Sequence, residues 1–212
     1  HIHTLDMEKI MWHTQRALDR GILPPGHIGT SIYLKSRNLS NPLYVSCMRD
    51  PMARNLSGFF QNIVDFIPDP YRLTPQQIFD TFERQYRHAD ALEWFDREWA
   101  PYLSIDVMSD GALTDPGVIE GQNFVVFLPR ASDARRSKTL SRLTGTAINV
   151  IPANVGEAKT YGDLYKQVKE LAAFSDSLLD RVYGSPIVRR FWTEEEIAAM
   201  RSVWGQGTSA SG

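Results

Sequence analysis

The chain reads as an α/β protein with a three-layer, mainly parallel sheet, and three observations carry that expectation. Short apolar runs at residues 43–48 and 123–128 have the length and the β-branched and aromatic content of buried strands. Stretches with an apolar residue every three or four positions precede, separate and follow them, as in amphipathic helices. Strands that alternate with helices in this way favour parallel pairing through helical crossovers.

The clearest unit spans residues 43–66, LYVSCMRDPMARNLSGFFQNIVDF. Its apolar opening is strand-like and stops at Arg49-Asp50-Pro51. Asp50 suits the N-cap, because its carboxylate accepts a free backbone N–H, and Pro51 suits the first helical position, where a missing N–H costs nothing. Met52, Leu56, Phe59, Phe60 and Ile63 then form one apolar face, with Arg54, Ser57 and Gln61 on the other. The turn places Arg49 at the carboxyl end of a strand and beside a helix N-terminus, where a guanidinium and the Ser57 hydroxyl suit a phosphate. The alternative is an arginine paired with a carboxylate.

The remaining elements follow in order. His1-Ile2-His3-Thr4-Leu5 alternates as the end of a strand does, and Asp6 opens a helix through Met7, Ile10, Met11 and Leu18 to Gly21. Pro24-Pro25-Gly26 is a turn, and a short helix is expected from Thr30 to Arg37. Thr74-Pro75-Gln76-Gln77 has the capping-box pattern, followed by a helix through Ile78, Phe79, Phe82 and Tyr86. Residues 88–99 are expected to continue as helix, with Leu92, Phe95 and Trp99 inward and Asp90, Glu93, Asp96 and Arg97 solvated. Residues 109–121 are expected to be a mobile loop, residues 123–128 a buried strand, and Arg135, Arg136, Lys138 and Arg142 a basic helical face. A helix over 161–171 follows the loop that contains Lys159, and Thr193-Glu194-Glu195-Glu196 caps a last helix docked by Ile197, Met200 and Trp204. One domain over 1–204 and a flexible tail over 205–212 complete the expectation.

Composition bounds the function. A chain of 212 residues with 42% apolar content can bury one sizeable core. A formal charge of −2 gives no general attraction to nucleic acid. The single cysteine, Cys47, permits no intrachain disulfide and is expected as a small core residue. No run reaches the length of a membrane-spanning helix and no signal peptide opens the chain, so a cytoplasmic location is expected. Metal-ligand spacings and a Gly-x-Ser-x-Gly elbow are absent, so no metal is expected.

Arg49-Asp50-Pro51, with Ser57 eight positions after the arginine and Phe59-Phe60 behind it, resembles the 3′-phosphate-binding segment of sulfotransferases that use 3′-phosphoadenosine 5′-phosphosulfate (PAPS). The nearest branch is the capsular polysaccharide synthesis group of sulfotransferase-like proteins, which RDPMARNLSGFFQN and the late segment LLDRVYGSPIVRRFWTEEEIAAMRSVW both resemble. The resemblance implies the sulfotransferase variety of the P-loop nucleoside-triphosphatase fold. It implies sulfonyl transfer from PAPS to a hydroxyl acceptor, a carbohydrate above all, without metal. It gives Arg49 and Ser57 to the 3′-phosphate and Lys159 to a cofactor contact. His-x-His pairs precede this segment in some carbohydrate sulfotransferases, which makes His3 the expected base ahead of His1, His13, His27 and His88. The N-terminal strand, phosphosulfate loop and helix of that fold have no counterpart here, Gly26–Ser31 being the nearest glycine-containing stretch, and an upstream segment is expected before His1. Two rivals stand beside this reading: a non-catalytic binding or scaffold protein of the same fold, and a P-loop kinase-like phosphotransferase, which needs an acid at a strand end. Trp12, Trp94, Trp99 and Tyr102 are candidates for stacking on sugar rings.

Overall fold

The structure is a computed structural model that describes residues 4–24, 26–37, 39–151 and 160–205. In chain order the elements are α1 (Met7–Asp19), α2 (Gly26–Ser36), β1 (Tyr44–Cys47), α3 (Pro51–Gln61), α4 (Ile63–Phe66), α5 (Pro75–Gln85), α6 (Ala100–Leu103) and α7 (Val107–Asp110). They continue with β2 (Ala112–Asp115), β3 (Val118–Glu120), β4 (Phe124–Phe127), α8 (Asp133–Thr144), α9 (Gly162–Leu171), α10 (Asp176–Tyr183), α11 (Pro186–Phe191) and α12 (Glu194–Gly205). Helix accounts for 59% of the described residues, well above the usual third, so most of the core is built by helices around a small open sheet.

The sheet has the order β1-β4-β3-β2 and is mixed rather than mainly parallel. Tyr44 N donates to Asn123 O and Met48 N to Phe127 O, a register that advances together on both strands and makes β1 and β4 parallel. Leu128 N donates to Gly117 O and Gly121 N to Phe124 O, so β3 runs antiparallel to β4. The physical reason is connection length: a parallel crossover takes about a dozen residues, and only Pro116-Gly117 joins β2 to β3. Gly117 has φ +81°, the conformation a type II turn needs after a proline, and a Cβ there would lie 2.6 Å from Ala131 N. The expected loop over 109–121 is therefore a helical turn and a β-hairpin.

Cys47 is exposed, a second correction. β1 is an edge strand, bonded on one side only, and its outward positions Val45 and Cys47 reach solvent, whereas all four residues of the inner strand β4 are buried.

The chain divides into two compact units. The first comprises His1–Val45, Glu93–Ala112 and Glu120–Val125. Here Thr4 and Leu5 are not in a strand. Residues 88–92, which belong to the second unit, form turns, and here Phe95–Trp99 forms one π-helical turn instead of continuing a regular helix. That turn carries Glu98 inside, 3% exposed, where its carboxylate accepts from Thr4 Oγ1 (3.0 Å), Leu5 N (2.8 Å) and Lys9 Nζ (2.8 Å). Trp99 packs edge-on against Phe95 and Phe124, which makes it core rather than a sugar platform.

The second unit comprises Ser46–Leu92, Leu113–Ile119 and Val126–Gly212. Its core is a chain of rings: Phe59 meets Phe82 at 5.1 Å, Phe82 meets Phe174 at 5.7 Å, and Phe174 meets Trp204 at 5.9 Å. Both expected capping boxes are present. Thr74 N donates to Gln77 Oε1 and Gln77 N to Thr74 Oγ1, while Thr193 N donates to Glu196 Oε2 and Glu196 N to Thr193 Oγ1. Arg130, just past β4, secures the last of these helices by donating to Glu196 Oε2 (2.7 Å) and Phe191 O (2.8 Å).

Candidate functional site

The site lies in the second unit, where β1 gives way to α3. Asp50 caps α3 by accepting from Met52 N at 3.0 Å, with Pro51 in the first turn, as the local pattern predicts. The sequence did not reveal that the same carboxylate collects two further donors. Its Oδ1 accepts from the Tyr183 hydroxyl at 2.7 Å and its Oδ2 from Trp204 Nε1 at 2.6 Å. Tyr183 is 0% and Trp204 2% exposed, so Asp50 joins the start of α3 to the ends of α10 and α12 through buried donors. Burial, and then the Asp50 charge, hold the Tyr183 hydroxyl far above the ordinary tyrosine range, so it stays a donor.

This arrangement has two chemical consequences. Both Asp50 oxygens are engaged, which makes the carboxylate a structural clamp. The carboxylate also leaves Arg49 alone. Arg49 is exposed, and among the described residues its guanidinium forms neither a hydrogen bond nor an ion pair, so the expected alternative of an arginine paired with a carboxylate does not hold there.

Ser57, two turns into α3, is half-buried, and its hydroxyl has no hydrogen-bond partner among the described residues. Beside the same helix, Tyr165 of α9 packs edge-on against Phe60 at 5.2 Å and Tyr161 packs against it at 5.7 Å. Burial raises the Tyr165 hydroxyl, and the Arg49 charge pulls it back, which places the guanidinium within electrostatic reach of that ring. The sequence did not indicate that Tyr161 and Tyr165 pack on α3. Asp50 occupies the Met52 N–H and puts a negative charge at the mouth of α3, so the helix end itself offers less to an anion.

Two expected site residues, His3 and Lys159, lie outside the described residues. The backbone next to each is anchored: Glu98 holds Thr4 and Leu5, and Thr160 O accepts from the Tyr71 hydroxyl at 3.3 Å. His88 is 4% exposed and lies among Phe82, Tyr86 and Phe174 as a core residue. The basic run of α8 is partly spent inside the unit. Arg135 donates to Pro116 O at 2.9 Å and lies 3.4 Å from Asp115, and Arg136 pairs with Asp133 at 3.0 Å. Gly26–Ser31 lies in α2 rather than in a phosphate loop.

Among the described residues no cluster of three or more His, Cys, Asp or Glu side chains could hold a metal ion, and no helix is long and apolar enough to cross a membrane. No family model, no curated protein and no solved structure matches the chain.

Proposed function

We propose that the protein is a PAPS-dependent sulfotransferase of the three-layer P-loop type acting on a hydroxyl of a carbohydrate or polysaccharide. The observation that carries the reading is the pair of uncommitted polar groups at the β1–α3 turn, the Arg49 guanidinium and the Ser57 hydroxyl, on the two positions that the resemblance gives to the 3′-phosphate. An exposed guanidinium bears no desolvation cost, so lacking a partner is not by itself a signal. A fork of donors, a half-buried hydroxyl without a partner among the described residues, and tyrosines packed on the same helix together support the reading better. The reading rests on the 3′ half of the cofactor.

Bound PAPS supplies the sulfonyl group. Arg49 and Ser57 hold the 3′-phosphate, Lys159 adds a contact, and His3 takes the proton from the acceptor hydroxyl as its oxygen bonds to sulfur and adenosine 3′,5′-bisphosphate leaves. Positioning and charge stabilisation supply most of the rate in such in-line transfer.

Calorimetric titration with adenosine 3′,5′-bisphosphate tests this. Micromolar binding is expected, weakened about tenfold or more in Arg49→Ala, the worth of about one charge-assisted contact. Adenosine 5′-monophosphate, which lacks the 3′-phosphate, should bind the parent protein no better than adenosine 3′,5′-bisphosphate binds the variant. Absence of binding, or binding indifferent to Arg49, refutes the reading. Binding without sulfonyl transfer to any saccharide leaves a nucleotide-binding scaffold protein.

A further inference from the structure

Gly58 lies inside α3, where glycine weakens a helix relative to alanine. Its missing side chain makes room: a Cβ there would lie 2.6 Å from the Tyr86 hydroxyl oxygen. The hydroxyl therefore rests on the outer face of α3, one position along from Ser57. Tyr86 reaches it from the end of α5, with its ring held by Phe59 (6.1 Å), Phe66 (5.9 Å) and Phe82 (5.3 Å). That packing fixes where the hydroxyl stands. The side chain is half-buried, and its hydroxyl has no hydrogen-bond partner among the described residues.

Arg54 is the second group on this face. It precedes Ser57 by three residues and Gly58 by four, spacings at which side chains on a helix are neighbours. It is half-buried, forms no ion pair among the described residues, and its one hydrogen bond is a long one, 3.4 Å, to Asn55 Oδ1. Its charge reaches the Tyr86 hydroxyl: burial raises the pKa of that group, Arg54 pulls it back, and Asp90 adds a smaller push upward. Along the axis of α3, Ser57 stands about 9 Å beyond Pro51 at 1.5 Å per residue, with Arg54 half-way between them.

We propose that Arg54 and the Tyr86 hydroxyl are further anion-binding groups of this site, closing with Ser57 on the phosphate that Arg49 meets from the turn. The proposal rests on the sulfotransferase reading, in which that group is the 3′-phosphate of the cofactor. A phosphate monoester at neutral pH carries close to two negative charges, which two guanidiniums match and one does not. Tyr86 adds no charge; its fixed hydroxyl supplies direction. Together the two groups favour a nucleotide with a 3′-phosphate over one with a free 3′-hydroxyl.

Calorimetric titrations with adenosine 3′,5′-bisphosphate and adenosine 5′-monophosphate test it. Arg54→Gln and Tyr86→Phe are each expected to weaken bisphosphate binding about tenfold, the worth of one hydrogen bond to a charged group, and to leave monophosphate binding unchanged. Gly58→Ala, which displaces the hydroxyl, should weaken bisphosphate binding as well, and Arg54→Lys should restore part of what Arg54→Gln loses. Thermal melting of Tyr86→Phe should match the parent, because the hydroxyl has no partner among the described residues to lose; this variant keeps the test decisive if Arg54→Gln fails to fold. Bisphosphate binding that both substitutions leave unchanged overturns the proposal, and if Arg49→Ala still weakens it the sulfotransferase reading stands alone. An equal loss for both nucleotides also overturns it, since that marks a structural role. Absence of bisphosphate binding by the parent protein overturns the reading and the proposal together.

Discussion

Removing the Asp50 carboxylate should cost far more than removing a helix cap. Asp50→Ala takes away the acceptor for Met52 N, worth about 1 kcal/mol as an N-cap. It also strands the Tyr183 hydroxyl and Trp204 Nε1, both on side chains essentially without solvent access, at about 1–3 kcal/mol each. The sum is about 3–7 kcal/mol, which at about 2–4 °C per kcal/mol lowers the melting temperature by about 6–28 °C. Tyr183→Phe keeps the ring and removes one donor from an already charged and otherwise satisfied acceptor, so its cost is smaller, about 1.5–3 kcal/mol. Urea denaturation of the two single variants and the double variant closes a cycle. The double variant should lose about 1–3 kcal/mol less than the sum of the singles, because the hydroxyl that Asp50→Ala strands is absent from it. A cost for Asp50→Ala of no more than about 1 kcal/mol, or a cycle additive within about 0.5 kcal/mol, would mean that the carboxylate acts as a cap alone.

Three further outcomes follow from buried or partly buried groups. Burial lowers the His88 pKa below its ordinary 6.5; hydrogen bonds with the Glu83 and Phe82 backbone offset part of this, and the Arg181 charge adds a smaller downward push than those bonds. The unfolded chain then takes up the proton first as pH falls below 6.5, so the urea midpoint should drop from there downward, and His88→Leu should flatten that slope. Glu98→Ala leaves Thr4 Oγ1, Leu5 N and Lys9 Nζ without their acceptor and should cost about 3–5 kcal/mol by thermal melting, whereas Lys9→Met, at a residue that is half exposed, should cost less than about 1 kcal/mol. Desolvation raises the Cys47 thiol while Arg136 offsets part of the shift, so alkylation at neutral pH should be slower than for free cysteine, and slower still in Arg136→Gln, despite the residue's exposure.

Features legible in the sequence share one property: they are decided within about four residues. The Asp50-Pro51 start of α3, the capping boxes at Thr74 and Thr193 and the apolar face of α3 each satisfy a backbone group or a helical period locally. What the sequence did not reveal is set by partners far along the chain. Leu43–Met48 and Asn123–Leu128 both read as buried strands, but only pairing decides that β4 is central and β1 an edge, and hence that Cys47 meets solvent. Glu98 was hidden because a π-turn rotates it out of the regular helical face on which its neighbours were placed. At the site, Arg49 and Ser57 were named from motif spacing; Tyr165 and the Asp50 clamp required knowledge of which helices return to α3.

The clamp also bears on why an acid and a base adjacent in the chain do not quench each other. Were Asp50 solvated and free, it would be the nearest counter-ion for Arg49, and the turn would hold a closed ion pair with little pull on a phosphate. Three donors from Met52, Tyr183 and Trp204 instead turn both carboxylate oxygens toward the interior of the unit, where the negative charge is compensated by hydrogen bonds rather than by the neighbouring guanidinium. Arg49 is exposed and makes no hydrogen bond or ion pair among the described residues. The buried tyrosine and tryptophan that fasten α10 and α12 to the core therefore also maintain the charge separation on which an anion site at this turn depends.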